Sequence, residues 1–424
     1  MYPLLLVAMA DSNSGQTDGF KTTRRAVLGA VGAGGVAGFA GCLGDIGGGG
    51  GGSDTVKYGV LNPMTGPYAG LAEEQRKGAK LAVKTINDSD EYDFTIDAQY
   101  GDTQADAETG QQEARKLVEQ HGASFVMGAI SSSVALGLNE FAKEESIVYS
   151  PGAAAIPITG ANCNKYVFRC ETNTAQIAEA CSEWTLNNLG SNVWFHIADY
   201  AYGKSVLSEW RSRMKQSSAD FSEAGVTRAK LGAKNFDSFI SQIKNSDADV
   251  VVVGSTGGDL IEFLNQANAQ GLTDGKKVMT TTGSFQVIRG ALGEKADGIY
   301  SGTRYVPKID SGDNQEFVEA YKSANDAEPG NFARVAYDSI RMVANGIKEA
   351  GSTDPDDVAD TLGGLKMQSL FGQNEFRSCD HQAKNPVWVG QNVYESGPMA
   401  DVKLIEKVRG DDAIPSCDQT GCQL

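Results

Sequence analysis

Three histidines, seven cysteines and several serines and tyrosines at predicted helix starts are the residues of this chain best equipped for chemistry, and their spacing argues against catalysis. His121, His196 and His381 are dispersed, and Gly254-Ser255-Thr256-Gly257 lacks the Gly-x-Ser-x-Gly elbow that presents a nucleophilic serine. No triad can be assembled, so an enzyme is not expected. His196 lies inside the apolar run Val193–Ile197 and reads as a core residue, whereas His381, in Cys379-Asp380-His381-Gln382, is the histidine best placed for a functional role. No Cys-x-x-Cys pair or Cys/His cluster offers a metal site, and no cofactor is expected. Binding chemistry remains. Ser131 and Ser132 stand where the apolar run Phe125–Ile130 gives way to a helical pattern, so their hydroxyls and the free backbone N–H groups of a helix start can hold a carboxylate. Simple N-capping accounts for the same two serines equally well.

A second chemistry belongs to the N-terminal segment. Thr23-Arg24-Arg25-Ala26-Val27-Leu28, a small-residue apolar run to Ala40 and then Gly41-Cys42 resemble a twin-arginine export signal ending in a lipobox. Residues 1–41 are therefore expected to be a lipoprotein signal, with Arg24 and Arg25 as its export determinant and Cys42 as the lipidated first residue of the mature chain. The run from Ala26 to Ala40 is shorter than the roughly 20 residues of a spanning helix. Gly32–Gly38 is superficially like a dinucleotide loop, but no strand precedes it and no helix-forming sequence follows. Met9-Ala10-Asp11-Ser12 reads as the natural start of translation, Met1 being the other candidate. Residues 42–53, with the glycine run Gly47–Gly52, form a tether of roughly 15 Å.

The six other cysteines are Cys163, Cys170, Cys181, Cys379, Cys417 and Cys422. An even number in an exported body predicts mostly disulfides, in any of 15 connectivities. Cys163 and Cys170 flank the strand-like Tyr166–Arg169, which when extended holds them roughly 20 Å apart, so they are not expected to pair with each other. Buried free thiols are the alternative.

The formal net charge is −17, and loss of Lys21, Arg24 and Arg25 against Asp11 and Asp18 leaves the body slightly more acidic. Such acidity disfavours nucleic acid and anionic lipid as partners. It also fits a protein kept soluble in high salt, hence a halophile and a haloarchaeal source. From about Asp54 onward, roughly 370 residues exceed what one core holds, so two domains are expected.

Along that body, short apolar runs alternate with amphipathic stretches. Strands are predicted at Val56–Leu61, Phe94–Ala98, Phe125–Ile130, Ile147–Ser150, Val193–Ile197, Val250–Val253 and Lys277–Thr280. Helices are predicted at 72–87, 105–120, 131–145, 174–189, 203–217, 236–244 and 259–270. This alternation implies an α/β fold with two doubly wound parallel sheets, whose ligands bind beyond the carboxyl ends of the strands.

Motifs in order along the chain carry a family likeness. Met64-Thr65-Gly66-Pro67-Tyr68-Ala69 is followed by Gly128-Ala129-Ile130-Ser131-Ser132-Ser133 and Ser150-Pro151-Gly152-Ala153-Ala154. Asp199-Tyr200-Ala201-Tyr202-Gly203, Asn235-Phe236-Asp237-Ser238-Phe239, Ala336-Tyr337-Asp338 and Ala350-Gly351-Ser352 come next. Over about 55 to 405 the chain resembles the branched-chain amino-acid (Leu/Ile/Val) binding proteins of ABC importers. The resemblance implies a type I periplasmic-binding fold with a three-strand hinge. Lobe 1 would then be 54–172 with 304–378, lobe 2 would be 173–303 with 379–410, and 411–424 a C-terminal tail. It implies capture of a small-molecule solute by cleft closure and delivery to ABC permease subunits. The receptor would be a monomer anchored by lipid to the outer face of the cytoplasmic membrane. A sensory ectodomain serving a membrane transducer is the alternative.

The resemblance also assigns ligand positions: Leu71, Ser131, Ser132, Gly152, Ala153, Ala154, Tyr202, Thr256 and Thr282. Several depart from the family pattern. Leu71 replaces a tyrosine, Ala154 a threonine and Thr256 an aromatic contact, while Thr282 falls near the glutamate that pairs with a ligand ammonium. A buried ammonium without a carboxylate costs several kcal/mol, so free L-amino acids are not expected unless Asp199, Asp259 or another acid substitutes. A small carboxylate, amide or other polar organic solute fits better.

Overall fold

The computed structural model describes residues 54–424. Arg24, Arg25, Cys42, the two candidate start residues and the glycine tether lie outside the described residues. Among those described, no helix is long and apolar enough to cross a membrane.

The first sheet has four parallel strands in the order β2-β1-β3-β4, made of β1 (Asp54–Asn62), β2 (Phe94–Asp102), β3 (Phe125–Gly128) and β4 (Val148–Pro151). Helices α1 (Ala69–Asn87), α2 (Ala107–Lys116) and α3 (Ser132–Glu145) make its crossovers. Asp106 caps α2 by accepting from the Thr109 amide, which satisfies one of the free donors at a helix start.

The second sheet has seven strands in the order β13-β12-β9-β8-β7-β5-β6. Its parallel part comprises β5 (Asn192–Ala198), β6 (Ser222–Ala229), β7 (Val250–Gly254), β8 (Lys277–Thr280) and β9 (Tyr300–Thr303). The covering helices are α4 (Thr174–Asn188), α5 (Ala201–Ser217), α6 (Asp237–Lys244), α7 (Gly257–Ala269), the short α8 (Leu272–Gly275) and α9 (Gln286–Leu292). Each residue of the valine run in β7 is buried, as expected of a central strand covered on both faces. The all-parallel expectation needs one correction in this sheet, because β12 (Val387–Val393) pairs antiparallel with β9 and β13 (Asp401–Val408) antiparallel with β12. The seven residues between them are too few for a crossover helix, so the pair forms a hairpin.

Helices α10 (Asn314–Asn325), α11 (Asn331–Ala350) and α12 (Pro355–Leu362) return to the first sheet, with a small hairpin of β10 (Lys366–Ser369) and β11 (Gly372–Glu375). α11 packs closely on α1, where Gly78 is required: a Cβ there would lie 2.2 Å from the Ala333 carbonyl oxygen. The chain thus passes between the two α/β layers three times, near 152–173, 304–313 and 376–386. The first and third passages run side by side, joined by a single bridge rather than a ladder, at Arg169 with Gln382. The strand expected over Tyr166–Arg169 is reduced to such bridges.

Two disulfides, Cys163–Cys422 and Cys379–Cys417, tie down the segment after α13 (Gly410–Ala413). Cys170 and Cys181 are buried free thiols, so both cysteine expectations hold, each for part of the set.

Candidate functional site

The two parallel sheets end on either side of a narrow, partly open cavity, and most of its lining residues sit just past a strand end. From the first sheet, β3 leads to Ile130 and β4 to Gly152, Ala153 and Ala154. From the second, β5 leads to Tyr200 and Tyr202, β7 to Thr256, β8 to Thr282 and β9 to Arg304. Phe332, in the first turn of α11, completes the wall. Of the predicted ligand positions, Gly152, Ala153, Ala154, Tyr202, Thr256 and Thr282 are brought together here. Tyr200, Arg304, Phe332 and Ile130 join them without having been singled out as ligand contacts.

Leu71, Ser131 and Ser132 do not line the cavity. Leu71 is wholly buried in an apolar cluster with Tyr68, Ala72 and Ile130. Ser131 occupies the N-cap position of α3 but makes no capping bond, and its buried hydroxyl has no partner. The Ser132 hydroxyl accepts from the Ala155 amide at 3.2 Å, so it supports the lining loop rather than capping the helix.

That loop is polarised. The carbonyls of Ala153 and Ala155 accept from Arg169 Nη1 at 3.2 and 2.6 Å, and the carbonyl of Ala154 accepts from the Thr174 amide at 2.9 Å. The amides of Ala153 and Ala154 have no protein acceptor among the described residues. With its acceptors consumed and donors left, the loop offers a solute N–H groups. The Gln75 amide nitrogen packs on Gly152, 2.3 Å from where a Cβ would stand, so a side chain there would displace it, and that nitrogen lacks a partner among the described residues.

On the opposite wall the Tyr202 hydroxyl lies 2.7 Å from Thr281 Oγ1 and accepts from Arg304 Nη2 at 3.0 Å. The Thr282 hydroxyl donates to the Ser255 carbonyl at 3.0 Å, while the Thr256 hydroxyl is buried and unpartnered. Burial raises the Tyr202 phenol above its ordinary range, with Arg304 opposing the shift, so it stays neutral at physiological pH. The layers also touch across the cleft: the Tyr68 and Tyr200 hydroxyls hydrogen-bond, and the Gly258 amide donates to the Pro67 carbonyl at 2.9 Å.

Neither buried histidine reaches this cavity. His196 stacks on Phe263 with centroids 4.1 Å apart, and burial pushes its pKa down to about 3, as befits a core residue. His381 stacks on Phe168 beside the interlobe passages, with a ring nitrogen 3.2 Å from the Val167 carbonyl. No group of three or more potential metal ligands exists among the described residues.

A cavity between the strand ends of two α/β layers, walled by hydrogen-bonding groups and aromatic rings without a catalytic constellation, defines a bilobed solute-binding receptor. Comparison with known proteins agrees. A family model described as periplasmic binding protein matches residues 55–397, and the chain belongs to that family. It is 26% identical over 307 residues to the Leu/Ile/Val-binding protein homolog 3 of Brucella melitensis, covering 70% of this chain and 80% of that one. Its fold resembles an amino acid ABC transporter substrate-binding protein of Pseudomonas fluorescens Pf-5, with a TM-score of 0.77 at 22% identity over 88% of this chain and 99% of that one. It also resembles an ABC transporter solute-binding protein of R. palustris in complex with benzoate, with a TM-score of 0.77 at 22% identity over 87% and 100% of the respective chains. The protein is accordingly an extracytoplasmic solute-binding receptor of the periplasmic binding protein family, not an enzyme.

Proposed function

We propose that this receptor, exported through Arg24-Arg25 and held by lipid on Cys42, captures a small polar organic solute lacking an ammonium group and delivers it as a monomer to a membrane permease. The carrying observation is the cavity wall: residues from both layers converge on it, yet no carboxylate lines it among the described residues. A zwitterionic amino acid would leave its ammonium buried without an anion, at a cost of several kcal/mol. Two lobes are read as 54–172 with 304–378 and 173–303 with 379–410, closing by hinge motion. Tyr202 closes over the solute, with the Ala153 and Ala154 amides facing it and Ser132 holding their loop from behind. The acidic surface suits a saline exterior of a halophile.

A thermal-shift screen in high salt tests this, since a solute bound only by the folded state raises the melting temperature. Small carboxylates or amides should raise it and leucine should not. Tight leucine binding that ignores Tyr202→Ala would overturn the reading. For the anchor, Cys42→Ser should release the protein from the membrane and Arg24→Lys with Arg25→Lys should leave precursor inside the cell. Unchanged membrane association of both variants would reject it.

A further inference from the structure

Arg304 carries the only formal charge among the described cavity-lining residues. It is 1% exposed. Nη1 faces Glu171 Oε1 at 3.3 Å, Nη2 donates to Tyr202, and the buried Nε has no partner among the described residues. Glu171 is not Arg304's alone. Its Oε1 also takes the Thr172 amide at 2.7 Å and lies 3.9 Å from Arg334, and its Oε2 accepts from Asn331 at 2.8 Å. Asp338, the next acid near Arg334, turns to the Leu370 amide at 3.1 Å.

The acids that might have received a ligand ammonium are also engaged elsewhere. Asp199 is 3.4 Å from Lys204, and both Asp259 oxygens accept from the Gly232 amide at 3.0 Å. The cavity therefore holds a buried guanidinium with a spare N–H, beside two free amides and an unpartnered threonine hydroxyl. An ammonium would meet like charge there, and a neutral amide would leave Arg304 sharing one carboxylate, Glu171, with Arg334. A carboxylate forms charge-assisted bonds and needs no counter-cation of its own. The room left for a water-sized body is only about 10 Å³, far below the roughly 300–1,000 Å³ of ordinary ligand pockets, so the layers must part to admit a solute and a compact one is favoured.

Resting on the receptor reading, we infer that the cavity takes a compact monocarboxylate, aliphatic or single-ring and without an amino group, and that Arg304 is the residue that selects it. Calorimetry on two matched sets tests this: propionate, propionamide and alanine, then benzoate, benzamide and phenylalanine. In at least one set the acid should bind tenfold or more tighter than its amide and its amino acid. Arg304→Gln should remove tenfold or more of that affinity, with Arg304→Lys retaining an intermediate part. Glu171→Gln, which deletes the competing anion, should tighten acid binding, whereas a merely structural cluster would lose affinity in both variants.

The acid-against-amide comparison uses unmodified protein, so it stands even where a variant misfolds. Equal binding of amide and acid, preference for an amino acid, or no binding by either acid overturns the inference. X-ray scattering separates the two readings. An amide or amino acid that binds and compacts the protein sinks the carboxylate selectivity and keeps the receptor, while a bound solute that produces no compaction sinks the receptor reading and the inference with it.

Discussion

The Tyr202 hydroxyl sits in a chain from Arg304 to Thr281, so it orients the guanidinium as well as closing the cavity. Tyr202→Phe keeps the packing and removes a bond to a charged group, for which about 1.5–3 kcal/mol of solute affinity should be lost, measured by calorimetry. Thr282→Glu introduces an acid into the same wall. It should abolish carboxylate binding and bring in solutes bearing an ammonium, and an unchanged solute preference would contradict the site assignment. Positions on the cavity wall were legible where an apolar run announces a strand: Gly152 follows Val148-Tyr149-Ser150, Tyr202 follows Val193–Ile197, and Thr256 follows four valines. It missed Arg304 because the preceding strand, Tyr300-Ser301-Gly302-Thr303, has no apolar run, its burial coming from tertiary packing rather than composition. Phe332 was equally silent, since it is delivered by a helix start from a distant part of the chain.

Among the elements, the interlobe passages and the C-terminal segment are the most tightly specified. Arg169 on the first passage donates to Gln382 on the third at 2.6 Å, and the Asn385 side chain donates to the Cys170 carbonyl at 2.6 Å. The C-terminal segment leaves β13 in the second sheet, is tied to the third passage at Cys379, and ends at Cys163 on the loop after β4. Thiol titration of denatured, non-reduced mature body should find Cys170 and Cys181 alone, and in the native state neither should react, because burial pushes the Cys170 thiol up to about 12 and Cys181 higher. Replacing Cys163 and Cys422 together by serine should cost about 2–5 kcal/mol in denaturant unfolding. This pairing was not legible, since the partners stand 259 residues apart and connectivity is set by where the C-terminal segment docks. His381 sets a pH dependence at the same place. Burial holds its pKa down to about 4, against about 6.5 in an unfolded chain, so the unfolded state takes the proton first as pH falls. The stability tied to neutral His381 is whole above pH 6.5 and erodes from there toward pH 4. His381→Asn, which tolerates the left-handed backbone at φ +54°, should flatten this part of the melting-temperature profile relative to the unmodified protein.

For the whole molecule, solute capture depends on how closely the two layers approach across the cleft, and that approach rests on backbone as much as side chains. Gly257, the first residue of α7, has φ +59°, and a Cβ on it would lie 2.6 Å from the Pro67 carbonyl and 2.8 Å from the Tyr68 ring on the opposite layer. Gly257→Ala should therefore push the layers apart, break the neighbouring Gly258 to Pro67 bond and favour the open form. Because apparent affinity scales with the population of the competent closed state, solute binding should weaken even though residue 257 does not line the cavity. Backbone strain alone predicts something different, and Gly232 separates the two. It has φ +80° with nothing within 4 Å of where a Cβ would stand, so Gly232→Ala carries a similar left-handed cost of about 1–2 kcal/mol without a contact across the cleft. Both variants should melt lower by comparable amounts. Only Gly257→Ala should also show a larger radius of gyration with saturating solute and a faster release rate; equal affinities for the two variants would mean that this contact does not govern closure.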